Sequence, residues 1–328
     1  MPEVAQLRPL KTWSHLAAQR RRPSEYEIVS TNLLWHTRDA DHPWDVDGFM
    51  GDWYTKNLFG SPLKHKDWNA FRDPDETVYR TYNIQQDGQE SYVDGLLEQF
   101  ARDEHDAALP AAWVPVLAKL YTPLRYPLHA IQMNCGYLAS ISPASTISGA
   151  AMFQGGDALR WLSRIAYRTR ELANAHPDAG FARDERKNWE IAPEWQGFRE
   201  LAEKMLATYD WGQNFFVMNT IFKPALEEAA LKQLALGARR NQDALLPLLT
   251  EAQLRDSARS QRWTSALIEM AMQEPSNSTV LNDWEKQWVP LADKAISTYC
   301  DAIPDNPTAK KTALANMRQY WASVGLAA

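Results

Sequence analysis

Residues 144–175 read ASTISGAAMFQGGDALRWLSRIAYRTRELANA, and this stretch decides the fold. Ile147, Ala151, Ala158, Leu162, Ile165 and Leu172 recur at intervals of 4, 7, 4, 3 and 7. That spacing puts all six on one face of a single long helix. SPAST (142–146) supplies the turn before it, and Asn174, Pro177 and Gly180 mark its end.

The neighbouring segments repeat the helical period. One helix is expected after DPDETVYR (73–80), with Asp73 or Asp75 as its cap, running to about residue 104. Residues 111–141 form a second segment, broken or kinked by Pro115, Pro123 and Pro127. A third pattern, Phe198, Leu201, Met205, Thr208, Gly212, Phe215, Asn219, Phe222, Leu226 and Ala229, predicts one helix of about 40 residues, kinked at Pro224. Two more follow at about 243–273 and 278–302. Long helices with little strand predict an all-α, long-helix bundle over residues 77–328. No internal repeat is found. Residues 1–76 differ: they are rich in tryptophan and proline and predict an extended, mostly irregular arm, with a strand or extended segment at 25–37.

Composition narrows the function classes. The chain has 328 residues, 45 % apolar and 23 % charged, enough to bury a core without staples. A net charge of −6 gives no footing for nucleic acid. No run of 18 apolar residues predicts a membrane span. The first residues, MPEVAQLRPLKTW, lack the apolar core of a secretory signal. Cys135 and Cys300 form no motif, so a cytoplasmic protein with free thiols is expected. The 14 tryptophans outnumber the 12 tyrosines and the 10 phenylalanines, and predict either a tryptophan-rich core or an assembly surface.

Motifs for catalysis are missing. There is no GxGxxG, P-loop, GxSxG or HExxH, and the QGGD at 154–157 is no phosphate loop. Di-iron carboxylate bundles need two Glu-x-x-His pairs, because residues three apart on one helix aim at a shared metal pair. None of the seven histidines has a glutamate three residues before it, and only His42, with Asp39, comes near. Two places nevertheless put polar groups where a bundle should be apolar. Asp256 and Arg259 share the seam of Leu245, Leu249, Ala252, Trp263, Ala266 and Met270, and His129 sits in the apolar LRYPLHAIQMNC (124–135). Buried charges must be paired, so Asp256 and Arg259 are expected to reach each other or partners on facing helices.

PLKTWSHLA (9–17), RRPSEYEIVS (21–30), SPLKHKDWNAFRDPD (61–75), VYRTYNIQQDGQESYV (78–93), SPASTIS (142–148), ALRWLSRIAYRTREL (158–172), WQGFREL (195–201) and PLADKA (290–295) resemble the β subunit of bacterial multicomponent monooxygenase hydroxylases, closest to the toluene, benzene and xylene type. The resemblance implies a ferritin-like helical fold in an (αβγ)2 hydroxylase. It places the di-iron centre on the α subunit and no cofactor on this chain. It implies an NADH-dependent reductase, a ferredoxin and an effector protein acting on the complex, which inserts one oxygen atom from O2 into an aromatic ring or alkene. Iron-bearing relatives carry D-E-x-R-H on each metal helix. Asp256-Ser257-Ala258-Arg259-Ser260 matches that frame with Ser257 at the glutamate and Ser260 at the histidine position. Arg125-Tyr126-Pro127-Leu128-His129 would be the second frame, with Tyr126 and His129 at those positions, so the resemblance implies a buried hydrogen-bonded network from Asp256 and Arg259 that reaches these two residues. The arm would pack on the α subunit, with Trp13, Tyr26, Trp35 and Trp53 as anchors.

Overall fold

The structure, a computed structural model, describes residue 16, residues 21–33 and residues 48–326. Ser24 opens the first helix, α1 (Glu25–Ser30): its hydroxyl accepts the Glu27 N–H at 3.2 Å, and the Glu27 carboxylate accepts the Ser24 N–H at 2.8 Å. This capping box turns the expected extended segment at 25–30 into helix. Residues 34–37 of that segment lie outside the described residues, as do Trp13 and Trp35. A second short helix, α2 (Phe49–Tyr54), runs into a wide π-turn at Thr55–Phe59.

The long helices follow. In α3 (Tyr79–Arg102) the cap is Val78, whose N–H donates to Thr81 Oγ1 at 3.1 Å. Asp73 acts one turn earlier, where its carboxylate accepts the Asp75 and Thr77 N–H groups at 3.1 and 3.2 Å and shapes the approach to α3. Pro115 falls in the first turn of α4 (Val114–Val116), which continues through a π-turn at Leu117–Tyr121 and a 3-10 turn at Thr122–Leu124 into α5 (Arg125–Ile141). Ser145–Ala175 forms α6, as the seam predicts, and α7 (Glu185–Ile191) and α8 (Pro193–Leu206) come next.

The expected 40-residue helix is two helices. Asp210 stops it by accepting the Gln213 N–H at 2.8 Å, an N-cap that starts a new helix after Leu206. The new run is α9 (Trp211–Phe216), α10 (Lys223–Leu226) and α11 (Leu234–Arg240), joined without a break by π-turns at Val217–Phe222 and Glu227–Gln233. It is buried nearly all round, which makes it the axis of the bundle. Leu245–Ala271 forms α12, Asn277–Cys300 α13, and Ala309–Ser323 α14. No strand occurs among the described residues.

Proline and tryptophan are coupled in the core. A helical proline lacks the N–H that would bond the carbonyl four residues back. Pro224 thus leaves the Thr220 carbonyl without its helical donor, and the Trp321 indole N–H supplies one at 2.7 Å. Pro123 does the same to Lys119, whose carbonyl accepts the Trp195 indole at 2.8 Å. Trp113, Trp195, Trp211, Trp263 and Trp321 are fully buried, so the core accounts for much of the tryptophan excess.

The helices α5 and α6 form an antiparallel hairpin. Gly155 is needed there, because a Cβ would stand 3.0 Å from that of Cys135. Pairing α8 with α13 requires Gly197, where a Cβ would fall 2.5 Å from the Ala295 Cα. Cys135 and Cys300 are both buried free thiols.

Asp243 locks the start of α12 to the rest. Its carboxylate accepts the Leu246 N–H at 3.0 Å and the Trp113 indole at 3.1 Å, and pairs with His105 at 3.2 Å and the buried Arg168 at 3.5 Å. Burial alone would raise its pKa. Arg168, His105 and the two N–H donors outweigh burial and bring it down to about 2. A carboxyl whose folded pKa lies below its unfolded value stabilises above the unfolded pKa and loses that contribution as pH falls through the folded one. Acid unfolding followed by circular dichroism should therefore lose about 2 kcal/mol between pH 4 and pH 2 through this group. Asp243→Asn should flatten that part of the curve and lower stability at pH 7.

Candidate functional site

A cavity of about 30 Å³, about one water's share of liquid volume, lies in the middle of the bundle. It is bounded by Leu128 and Ile131 of α5, Gln154, Asp157 and Trp161 of α6, Lys223, Glu227 and Leu231 of the axial helix, and Asp256 and Ser257 of α12. Three carboxylates line it: Asp157, Glu227 and Asp256.

Each has a fixed cation. Asp256 accepts Arg160 at 3.0 Å and the Trp161 indole at 2.8 Å on one oxygen, and Gln86 and Gln89 at 3.1 and 3.3 Å on the other. Asp157 is ion-paired with Arg259 and accepts the Tyr82 hydroxyl at 3.0 Å and Gln86 at 3.3 Å. Glu227 is ion-paired with Lys223 and accepts the Ser257 hydroxyl at 2.6 Å. Arg160 is also bound to Glu90 at 2.7 Å, which carries the network to the surface of α3. Burial pushes the Asp157 carboxyl up to about 6 against the pull of Arg259, with the Asp256 charge adding to the push.

Asp256 and Arg259 are thus buried on the seam, yet they are not each other's partner. Their network runs to α3 and α6, not to Tyr126 and His129. Tyr126 stacks on Trp189 at 5.9 Å with Arg125 over its ring at 5.1 Å, away from the cavity. His129 is exposed, because it falls on the outward side of α5 where Leu128 and Ile131 take the inward one. Ser257 bridges Lys223 and Glu227, and the Ser260 hydroxyl returns to the Ser257 carbonyl at 2.9 Å. Asp157, Lys223 and Glu227 are not among the residues that the sequence singles out. A signal for them exists: Asp157 lies beside Ala158 on the α6 seam, and Lys223 and Glu227 are charges four apart that flank the seam residues Phe222 and Leu226.

The donor set does not fit a di-iron centre. Such a centre needs carboxylates free to bridge metal and two inward histidines. Here all three carboxylates are committed to cations, and no histidine lines the cavity. Among the described residues no three His, Cys, Asp or Glu side chains converge on a point that could hold a metal.

Of the expected arm anchors, Tyr26 is turned inward. It is 6 % exposed and its hydroxyl accepts the Asp73 N–H at 3.0 Å, so it ties α1 to its own chain. Trp53 is half-buried in a surface cluster with Phe49, Tyr137 and Tyr209.

Removing one partner of a buried pair strands the other charge, at a cost of about 3–5 kcal/mol. Arg259→Met should therefore lower the melting temperature sharply. Asp157→Leu together with Arg259→Met should recover much of the loss. Equal melting of Arg259→Met and wild type would show that Arg259 is solvated.

The family model described as methane/phenol/alkene hydroxylase matches residues 50–275. The chain is 47 % identical over 298 residues to the β subunit of the hydroxylase component of the toluene-4-monooxygenase system of Ectopseudomonas mendocina, covering 90 % of this chain and 91 % of that one. It is 24 % identical to the small subunit of the propane 2-monooxygenase hydroxylase of Mycolicibacterium smegmatis, covering 93 % and 88 %. A solved structure of toluene 4-monooxygenase with toluene in its resting active site superposes with a TM-score of 0.86 at 46 % identity, over 90 % of this chain and 98 % of that one. Phenol hydroxylase from Pseudomonas sp. OX1, 20 % identical with a TM-score of 0.81 over 100 % and 99 % of the chains, shares the fold. By the family match and the identity to the toluene-system subunit, the chain belongs to the methane/phenol/alkene hydroxylase family.

Proposed function

We propose that this chain is the non-catalytic β subunit of the hydroxylase of a multicomponent di-iron monooxygenase of the toluene type. The observation that carries the reading is the 47 % identity, over nine-tenths of both chains, to a protein named as that subunit. The ion-paired core supports it, since central carboxylates already held by cations are not free to bind iron. The iron then lies on a larger α subunit, in an (αβγ)2 assembly served by a reductase, a ferredoxin and an effector protein. The complex inserts one oxygen atom of O2 into an aromatic ring, and this chain supports the α subunit from outside the reaction. A cytoplasmic location goes with this reading. No helix among the described residues is long and apolar enough to cross a membrane.

Residues 1–76 are the arm in this reading. With Tyr26 used internally, Trp13 and Trp35 remain as contacts along the arm, and Trp53 with Phe49, which is 75 % exposed, stands where the arm meets the helical body.

Two measurements test the proposal. Iron determined on the chain expressed alone should be near zero, and the co-expressed complex should contain it. Stoichiometric iron on the lone chain would favour a self-sufficient metalloenzyme instead. Truncating interface anchors costs on the order of 2 kcal/mol or more each. Trp13→Ala with Trp35→Ala should therefore weaken recovery of the complex on size-exclusion chromatography while leaving the helical circular dichroism intact. Full assembly of that variant would remove the arm from the interface.

A further inference from the structure

Glu227 stands between two spaces. On one side is the central cavity of about 30 Å³, which it lines together with Asp157, Asp256 and Ser257. On the other is a polar pocket of about 400 Å³ between the axial helix, α12 and α14, walled by Glu228, Lys232, Gln261, Asn316 and Tyr320. Gln319 and Ser323 at its rim are exposed, so the pocket opens to solvent. Among the described residues Glu227 alone lines both spaces.

The two oxygens of Glu227 have different neighbours. Oε1 is held on the cavity side, by the Lys223 ammonium and by the Ser257 hydroxyl at 2.6 Å. Oε2 faces Gln261 of the pocket wall at 3.4 Å, longer than an ordinary N–H···O bond. The side chain is 6 % exposed, so it separates the two spaces. Its cavity side is tightly bound and its pocket side is loosely bound.

The cavity is polar where a water needs it to be. Gln154 lines it and is 2 % exposed, and its Nε2 has no hydrogen-bond partner among the described residues. The Cys135 thiol nearby is a poor acceptor. Gln154 Oε1 accepts the Trp263 indole at 3.1 Å, which fixes the other end of the amide as the free donor. A buried N–H without an acceptor is costly, and a buried water meets such needs by making about three hydrogen bonds of its own. Here it would accept from Gln154 and donate to the carboxylates that share the cavity.

We infer that the central cavity is a water site, and that Glu227 is the gate through which this water and its protons exchange with solvent by way of the pocket beside α14. Opening requires only that Gln261 leave Oε2. Oε1 stays with Lys223 and Ser257, so no buried charge is stranded. A proton entering this way has a destination in Asp157, whose carboxyl burial pushes up to about 6. The groups facing Asp157 are Arg259 and Asp256 of α12, Arg160 of its own helix, Tyr82 of α3, and Lys223 and Glu227 across the cavity. A hydronium ion in the pocket protonates Oε2 and leaves water behind. The cavity water takes that proton while passing another to Asp157, and Glu227 is a carboxylate again.

Two indole N–H groups are matched reporters. Trp161 and Trp195 are both buried, and each donates to an interior acceptor at 2.8 Å, Asp256 and the Lys119 carbonyl respectively. Of the two, Trp161 lines the cavity. The full chain, made with nitrogen-labelled tryptophan and moved into heavy water, is followed by NMR. Trp161 should exchange about tenfold faster than Trp195, through local access instead of unfolding. Gln261→Ala frees the pocket side and should speed Trp161 about threefold further with Trp195 unchanged. Lys223→Met with Glu227→Leu replaces the pair by apolar bulk, strands no charge, and should slow Trp161 to the rate of Trp195. The wild-type and Gln261→Ala measurements decide the matter if the double variant fails to fold. Equal exchange of the two indoles in wild type would show a sealed cavity and overturn the inference. So would a Gln261→Ala effect shared by Trp195, which marks opening of the whole bundle, or a Trp161 rate that Gln261→Ala leaves unmoved, which places the route elsewhere.

Discussion

Asp157 and Asp256 stand on adjacent helices in the middle of the bundle, and the packing of α3, α6 and α12 follows from keeping both charges compensated. An unpaired carboxylate there would be costly enough to shift its own protonation. Arg259 of α12 reaches across to Asp157 of α6, while Arg160 of α6 reaches back to Asp256 of α12. The two helices are cross-braced by ion pairs running in opposite directions. Gln86 of α3 donates to both carboxylates, so α3 can sit in only one register against them. Paired this way, the charges add little to stability over apolar residues of the same shape, but they penalise every other alignment of the three helices.

The axial helix solves a related problem with backbone geometry. It is buried almost all round, so any carbonyl it frees must find a partner inside the protein. Pro224 frees one, and Trp321 of α14 takes it up. The π-turns flank α10 on either side, and Lys223 and Glu227, one turn apart between them, both bond Ser257 of α12. A kink read from proline alone misses this: the carbonyl that Pro224 frees is satisfied by an indole about a hundred residues away.

The helix period is legible in the sequence because buried apolar seams repeat along α6 and α12 regardless of what else they carry. Asp256 and Arg259 are legible as core residues too, since a charged pair on an apolar seam has nowhere else to go. Sequence reading fails where geometry between helices decides. The partner of Arg259 comes from α6, a choice set by the rotation of one helix against another. His129 reads as inward because its neighbours are apolar, yet on α5 the inward positions are Leu128 and Ile131. The break at 207–210 is hidden because Met205, Thr208 and Gly212 continue the period across it, and only the Asp210 cap reveals the stop. The extended expectation at 25–30 weighs β-branched residues above the Ser24–Glu27 capping box, a local signal that is present and decisive.

These particulars bear on how a chain of this fold can support a reaction without performing it. A metal centre in a bundle needs carboxylates that project inward from facing helices and are free to bind the metal. A core closed by Arg160, Arg259 and Lys223 has no such freedom, since moving any of the three would strand a buried carboxylate. Stiffness at the centre is compatible with exposed glycines and methionines at the rim, because the central charges answer only to their own helices. The same helical frame can therefore hold its central carboxylates free for a metal or, as here, fixed by its own cations.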